Sequence, residues 1–283
     1  MTESQKGKQP SSFLIRCVYA CILIALLVAC FLLGRVTFCI FVAVCLLLAL
    51  HEELNVLTKA GNAPVRWISF AGLIVSIPII LFTKPIMVIP YISLLTFCAL
   101  FCIMRRKEPK LTDLLFTMLP LLSIVLPGAC LFGLFAIEDD IVYRYLYTLT
   151  LAMPVLCDTF AYLVGSALHG PKLCPAISPK KTIAGAIGGM AGSILAAVVT
   201  TLCFQNFGTA DLLYPPMWAV IGCGVLAGIA SQIGDLLASM IKRHCGVKDF
   251  SNLIPGHGGM MDRIDSILLA VVIVYSYRLL FFA

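Results

Sequence analysis

The sequence predicts an all-α, polytopic integral membrane protein, and three features carry that prediction. Of 283 residues, 61% are hydrophobic and only 12% charged, against about 45 to 50% apolar in soluble domains, and the mean hydropathy is +1.03. The apolar residues fall into runs close to the roughly 20 needed to cross hydrocarbon. The cations divide unevenly between alternate breaks, as cytoplasmic and outer loops do. Together these exclude a cytosolic enzyme, a secreted disulfide scaffold and a disordered tail.

The first helix is expected at 13–33. Lys6 and Lys8 before it, with Leu27-Val28-Ala29-Cys30 inside it, look like a lipoprotein leader. The run is long, however, and a second, Val36 to Leu50, follows where a mature lipoprotein would have a polar tether. That second helix, 36–51, ends on His51, Glu52 and Glu53, expected at the interface. Helices at 67–83 and 85–104 are tightly joined. The loop Arg105-Arg106-Lys107-Glu108-Pro109-Lys110 after them is expected to set topology and meet lipid headgroups. Helix 114–137 leads to Glu138, Asp139 and Asp140, expected as a solvated outer loop, and helices at 142–167, 183–206, 215–240 and 263–283 complete the chain.

About nine crossings with the N-terminus cytoplasmic and the C-terminus opposite leave only Arg35, Lys84, Arg144 and Arg278 outside, and put the other sixteen of the 20 Lys and Arg residues inside. The whole chain, 1–283, reads as one membrane domain, with 1–150 as helical scaffold and 151–283 carrying the chemistry. The net charge of +6 is scattered between apolar runs, which favours anionic lipid or a polyphosphate over nucleic acid. Most of the 13 cysteines lie in apolar stretches without zinc spacing, where a thiol acts as a small hydrophobe. Gly185 and Gly189, and Gly188 and Gly192, stand four apart, a face that lets another helix approach closely. Gly165 to Gly170 followed by Pro171-Lys172 fails as a phosphate loop, because Pro displaces the Lys and no strand precedes it.

Ionisable groups inside apolar helices are functional candidates by default, and Asp158 and Asp235 are two such groups. If its helix persists, Asp235 shares a face with Ser239 and Lys242 at i, i+4 and i+7. Arg243, Lys248-Asp249, Pro255-Gly256-His257-Gly258-Gly259 and Asp262-Arg263-Ile264-Asp265 follow closely. Asp262 and Asp265 share one face at a helix start, whose unpaired N–H groups suit phosphate oxygens. The other polar break, Pro175 to Thr182, is held extended by two prolines. It presents Ser178, Lys180, Lys181 and Thr182 near a helix N-terminus, an anion site. Carboxylates beside lysines and arginines suit Mg²⁺-bound phosphates.

Ser239-Met240-Ile241-Lys242-Arg243, Lys248-Asp249, Ser251, Ile254-Pro255, His257-Gly258-Gly259-Met260 and Asp262-Arg263-Ile264-Asp265 match in order and spacing the C-terminal signature of the phosphatidate cytidylyltransferase (CDP-diacylglycerol synthase) family. Ser178-Pro179-Lys180-Lys181-Thr182 resembles a second motif of that family. The resemblance extends loosely from Asp158 to the C-terminus, and in the first half only as a helix pattern. It implies transfer of CMP from CTP to phosphatidic acid, giving CDP-diacylglycerol and pyrophosphate at the cytoplasmic face of a bacterial inner membrane. It also implies Mg²⁺, with room for a second cation, and a homodimer.

On this resemblance Asp235, Asp249, Asp262, Asp265, Lys242 and Lys248 are the catalytic candidates, with Asp235, Asp262 and Asp265 as metal ligands. Ser178, Lys180, Lys181, Thr182, Ser239, Arg243, His257, Gly258, Gly259 and Arg263 are the substrate-binding candidates. The chain departs from the family pattern at Ala184 and Ala238, where Glu is usual, and at Phe160 and Ser166, where Gly and Arg are common. Two lost carboxylates leave open one fewer metal ligand, altered affinity or a relative without catalysis. A transporter or channel for an anionic solute or lipid is the alternative of a different class.

Overall fold

The computed structural model describes residues 12–82, 85–207, 214–256 and 258–282; His257 of the loop motif lies outside them. The described residues are mostly helical, with one short hairpin and connecting loops. Helix α1 (Ser12–Leu32) turns at Gly34, whose φ of +118° favours glycine, into α2 (Arg35–Lys59). Helices α3 (Arg66–Phe82) and α4 (Val88–Met104) follow. The next rod is α5 (Leu111–Pro120) and α6 (Leu126–Phe135), joined by a π turn at Leu121–Val125. Pro120 and Pro127 flank that turn, and each withdraws an N–H from the regular ladder. The rest is α7 (Asp140–Leu168), strands β1 (Lys172–Cys174) and β2 (Ser178–Thr182), then α8 (Ile183–Phe207), α9 (Met217–His244) and α10 (Met261–Phe281).

Among the described residues six helical stretches are long and apolar enough to cross a membrane: α2, the α5–α6 rod, α7, most of α8, α9 and α10. The chain is therefore an α-helical membrane protein, while α3 and α4 have 17 residues each. The expectation of an all-α chain needs one amendment. The Pro175–Thr182 break forms the turn and, from Ser178, the second arm of an antiparallel hairpin that pairs Lys172 with Thr182 and Cys174 with Ser178.

The four helices α7 to α10 pack at backbone distance. A Cβ on Gly185, Gly189 or Gly192 would meet the carbonyl oxygens of Ala161, Cys157 or Leu156 at 2.7, 3.0 and 2.6 Å, and one on Gly188 would meet Val164 at 2.6 Å. The small-residue face of α8 is thus its seam against α7. A Cβ on Gly234 would stand 2.4 Å from the Asp265 carbonyl oxygen, so α9 and α10 also touch at their backbones. Buried tyrosines fasten this unit internally and to α6: Tyr145 shares a hydrogen bond with Thr201 of α8 at 2.9 Å, and Tyr147 donates to the Leu131 carbonyl of α6 at 2.7 Å, as buried phenols require.

Three expectations for polar residues are corrected. Helix α2 runs on to Lys59, so Glu52 and Glu53 are not interfacial but buried. Asp139 caps α7 by accepting from the N–H groups of Ile141 and Val142, and Asp140 pairs with Arg35, so this stretch is not merely solvated. Arg106 does more than set topology: it donates to the Asp113 carboxylate and the Ala63 carbonyl, both at 2.8 Å, fixing the turn before α3. The twelve cysteines from Cys21 to Cys245 are free thiols. Burial, and then the nearby Glu53 carboxylate, push the Cys245 thiol above its ordinary value.

Candidate functional site

Where α7, the hairpin, α8 and α9 meet, a cavity of about 490 Å³ is lined by Asp158, Lys172, Lys180, Lys181, Gln232 and Asp235 among others. Each element owes its place to a local feature. Thr182, at the end of β2, accepts from the Gly185 N–H at 3.1 Å and so caps α8 in the usual N-cap to N3 manner. That cap fixes the hairpin to the helix and turns Lys180 and Lys181 over the cavity. Gln232 donates to the Ala186 carbonyl at 3.1 Å, which fixes α9 against α8 one turn before Asp235.

Lys181 Nζ reaches Asp235 Oδ2 at 2.5 Å, with both side chains partly open. Asp158 lies within electrostatic reach of Asp235, Lys181 and Ser266 of α10. Asp265, one turn into α10, lies within electrostatic reach of Asp235, Lys242 and Asp158. The close approach at Gly234 places these carboxylates on facing helix surfaces.

The second half of the site is the loop between α9 and α10. Helix α9 persists to His244, so Asp235, Ser239 and Lys242 do lie along one face. Lys242 Nζ pairs with Asp262 Oδ1 at 2.6 Å and sits 5.3 Å from the Phe250 ring centroid. Asp262 Oδ2 accepts from the N–H groups of Phe250 and Gly259, both at 2.9 Å. The Asp262 side chain is only 4% exposed. Gly258 adopts φ +83°, and a Cβ there would also meet Asp262 Oδ2 at 2.8 Å.

The sequence-predicted residues thus fall into two neighbouring clusters. Lys180, Lys181, Asp235 and Asp158 surround the cavity; Lys242, Asp262, Gly258 and Gly259 knit the loop; Asp265 stands between them. Arg243, Lys248, Asp249 and Arg263 are exposed around the loop, and Ser178 and Ser239 are half-buried. Thr182 is buried as a helix cap. The N-terminus of α10 does not present all its N–H groups outward as expected: those of Met260 and Met261 are taken by Glu52. Sequence reasoning missed Glu52, for it stands some 200 residues away behind an apparent helix end.

Among the described residues no three Asp, Glu, His or Cys side chains form a ready-made metal cage. Mg²⁺ needs less, because it is commonly held by one or two carboxylates plus substrate phosphates. Asp235 and Asp262, each already facing an ammonium group, have the hard oxygen donors that such an ion takes, so the residues present fit it.

The model of the cytidylyltransferase family matches residues 14–281. The chain belongs to this family. A phosphatidate cytidylyltransferase of Staphylococcus aureus (strain COL) is 28% identical over 266 residues, covering 91% of this chain and 95% of the relative. Proteins of the same name from Brucella abortus biovar 1 (strain 9-941) and Brucella suis biovar 1 (strain 1330) are 42% identical over 125 residues, 44% of this chain and 43% of theirs. Two departures of this cytidylyltransferase from the family pattern have a structural setting. Ala238 is fully buried in the core, so the position serves packing. Phe160 lies where a Cβ on Gly192 would meet its own at 2.7 Å, so glycine in α8 makes room for the larger residue in α7.

Proposed function

We propose that the chain is a phosphatidate cytidylyltransferase, transferring CMP from CTP to phosphatidic acid to give CDP-diacylglycerol and pyrophosphate. The observation that carries this reading is the Lys181–Asp235 pair at the cavity where hairpin, α7, α8 and α9 meet. Family membership and the names of the relatives support it. A transporter would need substrate groups in both halves near the bilayer midplane, and family membership speaks for the enzyme.

In the proposed reaction an oxygen of the lipid phosphate attacks the α-phosphorus of CTP, the new P–O bond forms, and the bond to the β-phosphate breaks to release pyrophosphate. Both reactants are polyanions, so the protein's work is alignment and charge screening. Lys180, Lys181, Lys242, Arg243, Lys248 and Arg263 neutralise phosphate oxygens, and Ser178 and Ser239 orient them. Asp249 and Asp265 flank the reacting groups. As phosphates enter, the ammonium groups of Lys181 and Lys242 turn toward them and free Asp235 and Asp262. Those two carboxylates, backed by Asp265, would hold Mg²⁺, which when bound lowers the phosphate charge and polarises the phosphorus; a second cation has room beside Asp158.

The same reading places nine crossings with the basic loops on the cytoplasmic face of a bacterial inner membrane, residues 151–283 as the catalytic part, the first half as scaffold and a homodimer as the assembly, with no nucleic-acid partner. The test is purified protein in detergent supplied with Mg²⁺, phosphatidic acid and CTP labelled at the α-phosphate. The expected result is label in the lipid and release of unlabelled pyrophosphate. No labelled lipid under varied metal conditions would favour a non-catalytic lipid-binding relative instead.

A further inference from the structure

Glu52 belongs to the half of the chain with none of the expected chemistry, yet it is 5% exposed and lies inside the loop that precedes Asp262. Its Oε1 accepts from Ser251 Oγ at 2.6 Å and from the Met260 N–H at 3.1 Å, and its Oε2 accepts from the Met261 N–H at 2.9 Å. A helix start leaves N–H groups without partners inside the helix. Met260, in the cap position of α10, provides no side-chain acceptor, and Glu52 supplies one from α2. Its negative charge also suits that end of the helix dipole.

Two features of the loop accommodate this carboxylate. A Cβ on Gly259 would stand 2.4 Å from Glu52 Oε2, so glycine at that position lets the carboxylate in. The Gly259 N–H, pointing elsewhere, donates to Asp262 Oδ2. The same short segment is therefore gripped from two sides, by Glu52 and by Asp262, and Asp262 in turn carries Lys242.

We infer that Glu52 is a positioning residue for cytidylyl transfer: from α2 it seats Ser251, Met260 and Met261, and through them holds Asp262 and Lys242 in the site. The inference rests on the reaction proposed above. Glu52 touches no group that reacts and acts through the loop. Its three donors use both carboxylate oxygens, and glutamine would offer one acceptor oxygen while pointing an NH₂ group at an N–H.

The experiment compares Glu52→Gln with Glu53→Gln in the full-length protein in detergent. Glu53 is the adjacent buried carboxylate, and it accepts from Ser123 rather than from the loop. Glu52→Gln is expected to lower kcat about tenfold to a hundredfold, with KM for CTP changed by less than about threefold. Amide exchange at Met260 and Met261 should speed up in that variant. Glu53→Gln is expected to keep both kcat and that exchange near wild type, even if its melting temperature falls. Wild-type kcat in Glu52→Gln overturns the inference, and so do parallel losses of kcat and melting temperature in both variants. Wild-type protein that forms no CDP-lipid refutes the proposed reaction instead, and is recognised without either variant.

Discussion

The Lys181 ammonium lies 2.5 Å from the Asp235 carboxylate, although the two residues sit on a hairpin and a helix with the whole of α8 between them in sequence. The pair depends on two backbone seams. The glycine face of α8 against α7 brings the hairpin's end over the cavity, and Gly234 brings α9 against α10 so that Asp235 faces Asp265. Packing of small residues is therefore what gathers the charges, and the charges are what the proposed chemistry uses.

Asp262→Asn keeps an acceptor for the Phe250 and Gly259 N–H groups but loses the charge that pairs with Lys242. The expected outcome is a folded, extractable protein whose turnover falls by about a hundredfold or more. The Mg²⁺ concentration for half-maximal rate should rise. Steady-state rates across a Mg²⁺ titration check both; wild-type values would remove Asp262 from the metal assignment.

Chelation should act on the wild type in the same direction. With EDTA, CDP-lipid formation is expected to fall to background and to return on adding Mg²⁺. Turnover that persists after exhaustive chelation would show that the carboxylates serve only to orient the lysines.

Gly234→Ala tests the α9–α10 seam. Its Cβ would meet the Asp265 carbonyl at 2.4 Å, a backbone atom that cannot swing aside, so a loss of about 1 to 3 kcal/mol is expected. Activity should fall further than stability alone explains, because Asp235 and Asp265 move apart. Thermal unfolding in detergent alongside kcat separates the two effects.

Arg106→Ala should do the reverse. It leaves the largely buried Asp113 without its guanidinium and frees the turn at Ala63, at a cost of about 1 to 3 kcal/mol. The kcat of the surviving folded protein is expected to stay near wild type. A selective loss of kcat would bring this loop into the site.

The reach of the sequence was uneven, for physical reasons. Helices α7 to α10 begin and end within a few residues of expectation, because long apolar runs bounded by charges, proline or glycine leave little choice. The face shared by Asp235, Ser239 and Lys242 was legible because helical spacing alone defines it. The continuation of α2 was not: His51-Glu52-Glu53 reads as an interface, and only partners such as Ser251, Met261 and Ser123, distant in sequence, make burial of the carboxylates tolerable. The hairpin escaped because strands of three and five residues with prolines show no usable alternation. The cap role of Thr182 follows from a helix start expected at 183, and an N-cap threonine was the available signal.

A double-mutant cycle on Lys181 and Asp235 bears most directly on whether these elements form one phosphate-handling site. The kcat/KM for CTP and phosphatidic acid would be measured for wild type, Lys181→Met, Asp235→Asn and the double variant. If the two side chains serve one site, each single change should cost about a hundredfold or more and the double variant little beyond the worse single. Losses that simply multiply, or near-normal turnover in either single variant, would contradict that account.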